Sequence, residues 1–170
     1  NIDIGKFASQ KATFDLQFRK DTRHERTNAP TYYRWKVQFI ITAPKDDTKL
    51  LKKVQKEIGC GNVNVVKNQS RFSVQNVADI KESVIPFLKK HALSGDKKKE
   101  FELWQRAVNI ILENKGKYIL TWKKNDLASL IQIHKLTAKY KNRTRKAKWV
   151  EMAQNYIKKS IREIYFFCLS

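Results

Sequence analysis

Residues 33–42 read Tyr-Arg-Trp-Lys-Val-Gln-Phe-Ile-Ile-Thr, an alternation that fits a half-buried strand and no helix. It sets Tyr33, Trp35, Val37, Phe39 and Ile41 on one face and Arg34, Lys36 and Gln38 on the other. The apolar face needs a core, and the basic face needs an anion. The whole chain points the same way, because 170 residues carry a formal charge of +20. A compact chain with that charge repels itself, and a phosphate-bearing partner is the usual reason to carry it.

The same pattern recurs. Phe14, Leu16 and Phe18 alternate with Asp15, Gln17 and Arg19. Val63 and Val65, then Phe72 and Val74, mark two short strands joined at residues 67–70, with Arg71, Ser73 and Gln75 on the opposite face. Ahead of the first strand, Gly5, Ala8 or Ser9, and Ala12 fall at helical spacing and form a small-residue face that permits close packing. Residues 20–31 hold Asp, Arg, His, Asn and Pro without periodicity and read as a polar hairpin loop that reaches beyond the sheet. Asp46 or Asp47 caps a helix with Leu50, Leu51, Val54 and Ile58 as its inward stripe, closed by Gly59 and Gly61. Further helices are predicted over 77–90, 97–113 and 125–138, with a last one starting near residue 148. The prediction is an α+β chain in the order α-β-β-α-β-β-α with extra C-terminal helices and one four-stranded antiparallel sheet. Residues 1–138 form the nucleic-acid-binding domain, and 139–170 a basic segment and terminal helix.

Other chemistry is sparse. The apolar runs fall well short of the roughly 18 residues of a membrane span, so no membrane partner is expected. Cys60 and Cys168, and His24, His91 and His134, show neither metal-ligand spacing nor a disulfide framework. Lysines outnumber arginines three to one, which favours phosphate contact over bidentate base reading. Phe101, Trp104, Val108 and Ile111 form a core stripe, His134 joins the stripe of Leu127, Leu130 and Ile131, and Asp79 and Glu82 complement a helix start. Residues 139–148 hold six cations (Lys139, Lys141, Arg143, Arg145, Lys146 and Lys148) and no acid, and read as a nucleic-acid contact. Tyr140 and Trp149 beside them are either base-stacking platforms or core. The apolar stretch 165–169 either docks on a protein partner or folds back on its own core.

The element order resembles a single-motif LAGLIDADG homing endonuclease. The residues that carry the likeness are Ile4-Gly5-Lys6-Phe7-Ala8-Ser9-Gln10-Lys11-Ala12-Thr13-Phe14, then Phe39-Ile40-Ile41-Thr42-Ala43 with Glu57-Ile58-Gly59-Cys60-Gly61, then Ile85-Pro86-Phe87-Leu88 with Ala92-Leu93-Ser94-Gly95-Asp96-Lys97. Lys141-Asn142-Arg143-Thr144-Arg145-Lys146 extends it. The resemblance implies a saddle-shaped binding sheet and, in active members, an acid at the foot of the motif helix that binds magnesium. Lys11 occupies that position, and Asp15 and Asp3 match no catalytic one. On this reading no catalytic residue, metal or cofactor remains, and the chain is expected not to be an enzyme. The nucleic-acid-binding set is then Gln17, Arg19, Arg34, Lys36, Gln38, Arg71, Ser73, Gln75, Lys97 and the six cations of 139–148. With the acid gone, RNA is favoured over DNA. The expected roles are a ribosomal-RNA-bound subunit of an organellar ribosome or an intron maturase, with mitochondrial or other organellar location, a setting that abundant Lys, Asn and Ile also suit. The alternative is an active endonuclease that dimerises through the small-residue helix and cuts duplex DNA with magnesium.

Overall fold

The computed structural model describes residues 2–21, 32–140, 154, 155 and 158. Helix α1 (Ile4–Lys11) leads into β1 (Ala12–Asp21), which pairs antiparallel with β2 (Tyr32–Pro44). A 3-10 turn (Lys45–Asp47) and α2 (Thr48–Ile58) return the chain to the hairpin β3 (Asn62–Val66) and β4 (Gln69–Val74). The strand order is β1-β2-β4-β3, so β2 and β4 are central and β1 and β3 are edges. Beyond the sheet come α3 (Val77–Asp79), a π-helical segment (Ile80–Val84), α4 (Ile85–Lys90), α5 (Gly95–Glu113), a 3-10 turn (Ile119–Thr121) and α6 (Lys124–Tyr140). The α+β class and the predicted element order are what the chain adopts.

Alternation decides which way the strands face. Phe14, Phe39, Ile41 and Phe72 are buried beneath α2 and α5, with Trp104 of α5 among them. Phe14 meets Trp104 at 5.2 Å and Phe101 at 5.4 Å between ring centroids, and Phe39 meets Phe72 edge-on at 6.2 Å. Such aromatic pairs add attraction beyond the area they bury. Two side chains of α5 also fasten it to the backbone of β1. Trp104 Nε1 donates to the Asp15 carbonyl at 3.0 Å, and Lys97 Nζ donates to the Ala12 carbonyl at 2.6 Å.

Local chemistry sets the boundaries. Gly59 closes α2 in a left-handed conformation (φ 84°), its N–H bonded to the Gln55 carbonyl, a geometry that costs glycine little. Asp47 stands at the N-cap of α2 but makes no side-chain cap, because the 3-10 turn intervenes. Asn76 does cap α3, accepting from the N–H groups of Ala78 and Asp79. The predicted helix over 77–90 contains a π-helical stretch just before Pro86, where the proline ring would otherwise meet the carbonyl four residues earlier. Helix α6 runs from Lys124 to Tyr140, slightly longer at both ends than predicted.

Helix α1 turns its small face inward. Gly5, Ala8, Ser9 and Ala12 are buried, while Lys6, Gln10 and Lys11 are exposed. A Cβ built on Gly5 would lie 2.0 Å from the His91 ring. The small residues are thus used for packing within the chain. Gly5→Ala is expected to destabilise the fold by about 1–3 kcal/mol as an overpacked site, read as a lower urea midpoint. An unchanged midpoint would mean that His91 moves aside freely.

Candidate nucleic-acid interface

The face of the sheet opposite the core is built by register. Arg19 lies across from Arg34, Gln17 from Lys36 and Asp15 from Gln38 on β1 and β2. On the other side, Thr42 lies across from Arg71 and Ile40 from Ser73, and Asn64 and Asn62 of β3 oppose Arg71 and Ser73. One polar surface therefore carries Arg19, Arg34, Lys36 and Arg71. Asp15 and Asp21 are the acids on it among the described residues. Asp15 Oδ2 accepts from Gln17 Nε2 at 2.7 Å and from Gln38 Nε2 at 3.1 Å, and Asp21 lies 4.0 Å from Arg34 Nε.

The cations crowd one another. Burial first, then the neighbouring Arg19 and Arg34, push the Lys36 ammonium below its ordinary pKa; Asp15 partly opposes this and Arg71 adds to it. A lysine whose folded pKa is depressed weakens the fold while it stays charged. That cost is present below the folded pKa and is relieved as pH rises toward the unfolded value of 10.5. Salt screens the same repulsion, over a Debye length of about 8 Å at physiological ionic strength. The free protein is therefore expected to gain more thermal stability from added sodium chloride than Lys36→Met does. Equal gains would show that the crowding carries no weight.

Several expected contact residues behave differently. Gln38 and Ser73 lie on the polar face but are only 5% and 7% exposed, and the Gln38 amide is engaged by Asp15. Both therefore present little surface to a ligand. Gln75 accepts from Lys36 Nζ at 2.6 Å and orients it. Lys97 lies off the sheet, its ammonium held by the Ala12 carbonyl and 4.0 Å from buried Glu100. Lys139 belongs to α6, while its side chain and Lys141, Arg143, Arg145, Lys146 and Lys148 lie outside the described residues, as do most of loop 20–31 and the stretch 165–169. Asn62, Asn64, Gln69 and Thr42 are exposed contributors to this surface that the sequence reading misses. The Asn-Val-Asn-Val alternation of β3 is the signal that could have found the two asparagines.

The foot of α1 is basic. Its last residue is the exposed Lys11, Lys97 lies beside Ala12, and the nearby Glu100 carboxylate is buried against that lysine. Ammonium groups repel a metal ion and cannot ligate it, so no step is routed through one. Cys60 is half-buried, and burial, with Asp79 second, pushes its thiol pKa up, which makes it a poor nucleophile. No described helix is long and apolar enough to cross a membrane.

Solved structures with this fold include I-SmaMI bound to an uncleaved DNA target with calcium ions (14% identity, TM-score 0.69). The homing endonuclease I-TnaI gives 17% and 0.65, and I-LtrWI bound to target DNA gives 21% and 0.63. The aligned regions cover 90%, 94% and 82% of this chain and 49%, 99% and 44% of theirs. The chain thus spans about half the length of I-SmaMI and nearly all of I-TnaI. No curated protein matches it. The LAGLIDADG endonuclease family matches residues 7–108, from within α1 to within α5. That match overturns the expectation that the chain is not an enzyme, since the family is one of endonucleases and a single lysine in a short helix does not outweigh a fit over more than half the sequence. The chain belongs to the LAGLIDADG endonuclease family.

Proposed function

We propose that the chain binds double-stranded DNA across the polar face of its sheet. The observation that carries this is the four-cation surface on which Lys36 is crowded by Arg19, Arg34 and Arg71. Such a surface is relieved when an anion arrives, because the repulsion that weakens the free protein becomes attraction to phosphates. DNA takes precedence over RNA because the ground for preferring RNA was the loss of catalysis, which no longer stands, and because I-SmaMI and I-LtrWI were captured on DNA. Structured RNA in an organelle is the second reading. It is favoured by the three-to-one excess of lysine over arginine, which serves phosphates and shape more than bases.

The test is fluorescence anisotropy with a duplex and a structured RNA of equal length over a range of salt. Duplex binding is expected to be tighter and steeply salt-dependent, and Arg71→Gln should flatten log K against log salt by about 0.9. Tighter binding to the RNA would transfer the proposal to the second reading. No salt-dependent binding to either would remove both.

A further inference from the structure

A basic cleft of about 610 Å³ opens between α1 and the turn from α4 to α5, and none of its lining residues belongs to a strand. Lys6, Ser9, Lys90, Ser94 and Lys97 line it together with one acid, Asp3. Asp3 is occupied, because its Oδ1 accepts from the Lys6 N–H and caps α1. Lys97 is held by the Ala12 carbonyl. Lys6 and Lys90 are exposed cations at the rim.

Two independent features point to an anion. Ser94 is the N-cap of the 19-residue α5, yet its side chain makes no capping hydrogen bond, so no Ser94 hydroxyl answers the first amides of that helix. A helix start carries partial positive charge and free N–H donors. Ser9 is 7% exposed, and its Oγ has no hydrogen-bond partner among the described residues. A buried hydroxyl without a partner is costly, and a ligand oxygen that accepts from it removes that cost. We propose that this cleft binds a phosphate group, held by the Ser9 and Ser94 hydroxyls, the first amides of α5 and the Lys6 and Lys90 ammonium groups. The phosphate is either a free one or one from a nucleic-acid backbone. The proposal does not depend on the sheet face.

The experiment is calorimetric titration of the full chain with inorganic phosphate, against chloride at matched ionic strength. One saturable site per chain is expected. Ser9→Ala and Lys90→Gln should each weaken it about tenfold, as loss of a hydrogen bond to a charged group does. Circular dichroism checks that both variants fold, and Ser9→Ala removes only a hydroxyl that has no partner among the described residues. Absence of a saturable site, or equal affinity in folded Ser9→Ala, would overturn the proposal. Repeating the titration with a short duplex present separates the sources. Displacement of phosphate by the duplex assigns the cleft to the backbone, and simultaneous binding assigns it to free phosphate. Because inorganic phosphate is titrated without nucleic acid, the result stands or falls apart from the Arg71→Gln test of the sheet face.

Discussion

Trp104→Ala is expected to cost about 3–5 kcal/mol of folding free energy, as truncation of a buried tryptophan does. The site has no easy way to collapse. Trp104 is 1% exposed, lies within 5.2 Å of Phe14 and 6.4 Å of Phe39 between ring centroids, and supplies a hydrogen bond that fastens α5 to β1. Removing the indole opens a cavity and also leaves the Asp15 carbonyl without that donor. Against the typical stability of roughly 5–15 kcal/mol, that is a large share of what holds the chain folded. Chemical denaturation of Trp104→Ala beside Trp104→Phe would check this. The phenylalanine variant should recover part of the stability but not the hydrogen bond. A drop below about 1 kcal/mol for the alanine variant would mean that α5 does not cover the sheet as described.

The second large effect falls on binding and leaves the fold intact. Replacing Arg19, Lys36 and Arg71 together by Gln should reduce the steepness of log K against log salt by about 2.7, since each phosphate no longer neutralised on duplex DNA accounts for roughly 0.9. All three side chains reach past the core, and replacing them removes the mutual repulsion of the cations around position 36. The variant is therefore expected to melt no lower than the parent at low salt while binding far more weakly. Stability and binding should move in different directions, which a merely unfolded variant cannot imitate. A parallel fall in both would show that these residues hold the sheet together.

Much of the fold is legible in the chain because it is written locally. Alternation from Tyr33 to Ile41 and from Phe14 to Phe18 fixes which strand faces are buried, and the Phe101, Trp104, Val108 spacing places Trp104 in the core. What alternation cannot carry is the order of strands. Gln38 and Ser73 are on the predicted face, yet they lie on the central strands β2 and β4 and are covered, whereas Arg71 extends beyond the surface. Val65 shows the converse. It reads as an inward residue but stands near the hairpin end of the edge strand β3 and is 45% exposed. Gly5 reads as a site of close packing, but its neighbour His91 is far along the chain, and only the fold brings them together. Lys97 is legible as a cation and not as a group held by a carbonyl. The expectation that the chain is not an enzyme fails for a related reason. It rests on one side chain, Lys11, set against the pattern of the whole chain, and the family match over residues 7–108 reverses that weighting.

The most direct test of DNA binding on the polar sheet face is amide chemical-shift mapping of the labelled protein during titration with a duplex. The largest shifts are expected at Gln17, Arg19, Arg34, Lys36, Asn64 and Arg71, with Val54 of α2 and Leu130 of α6 little changed. Shifts confined to α2 and α6, with those strand residues unmoved under saturating duplex, would contradict it.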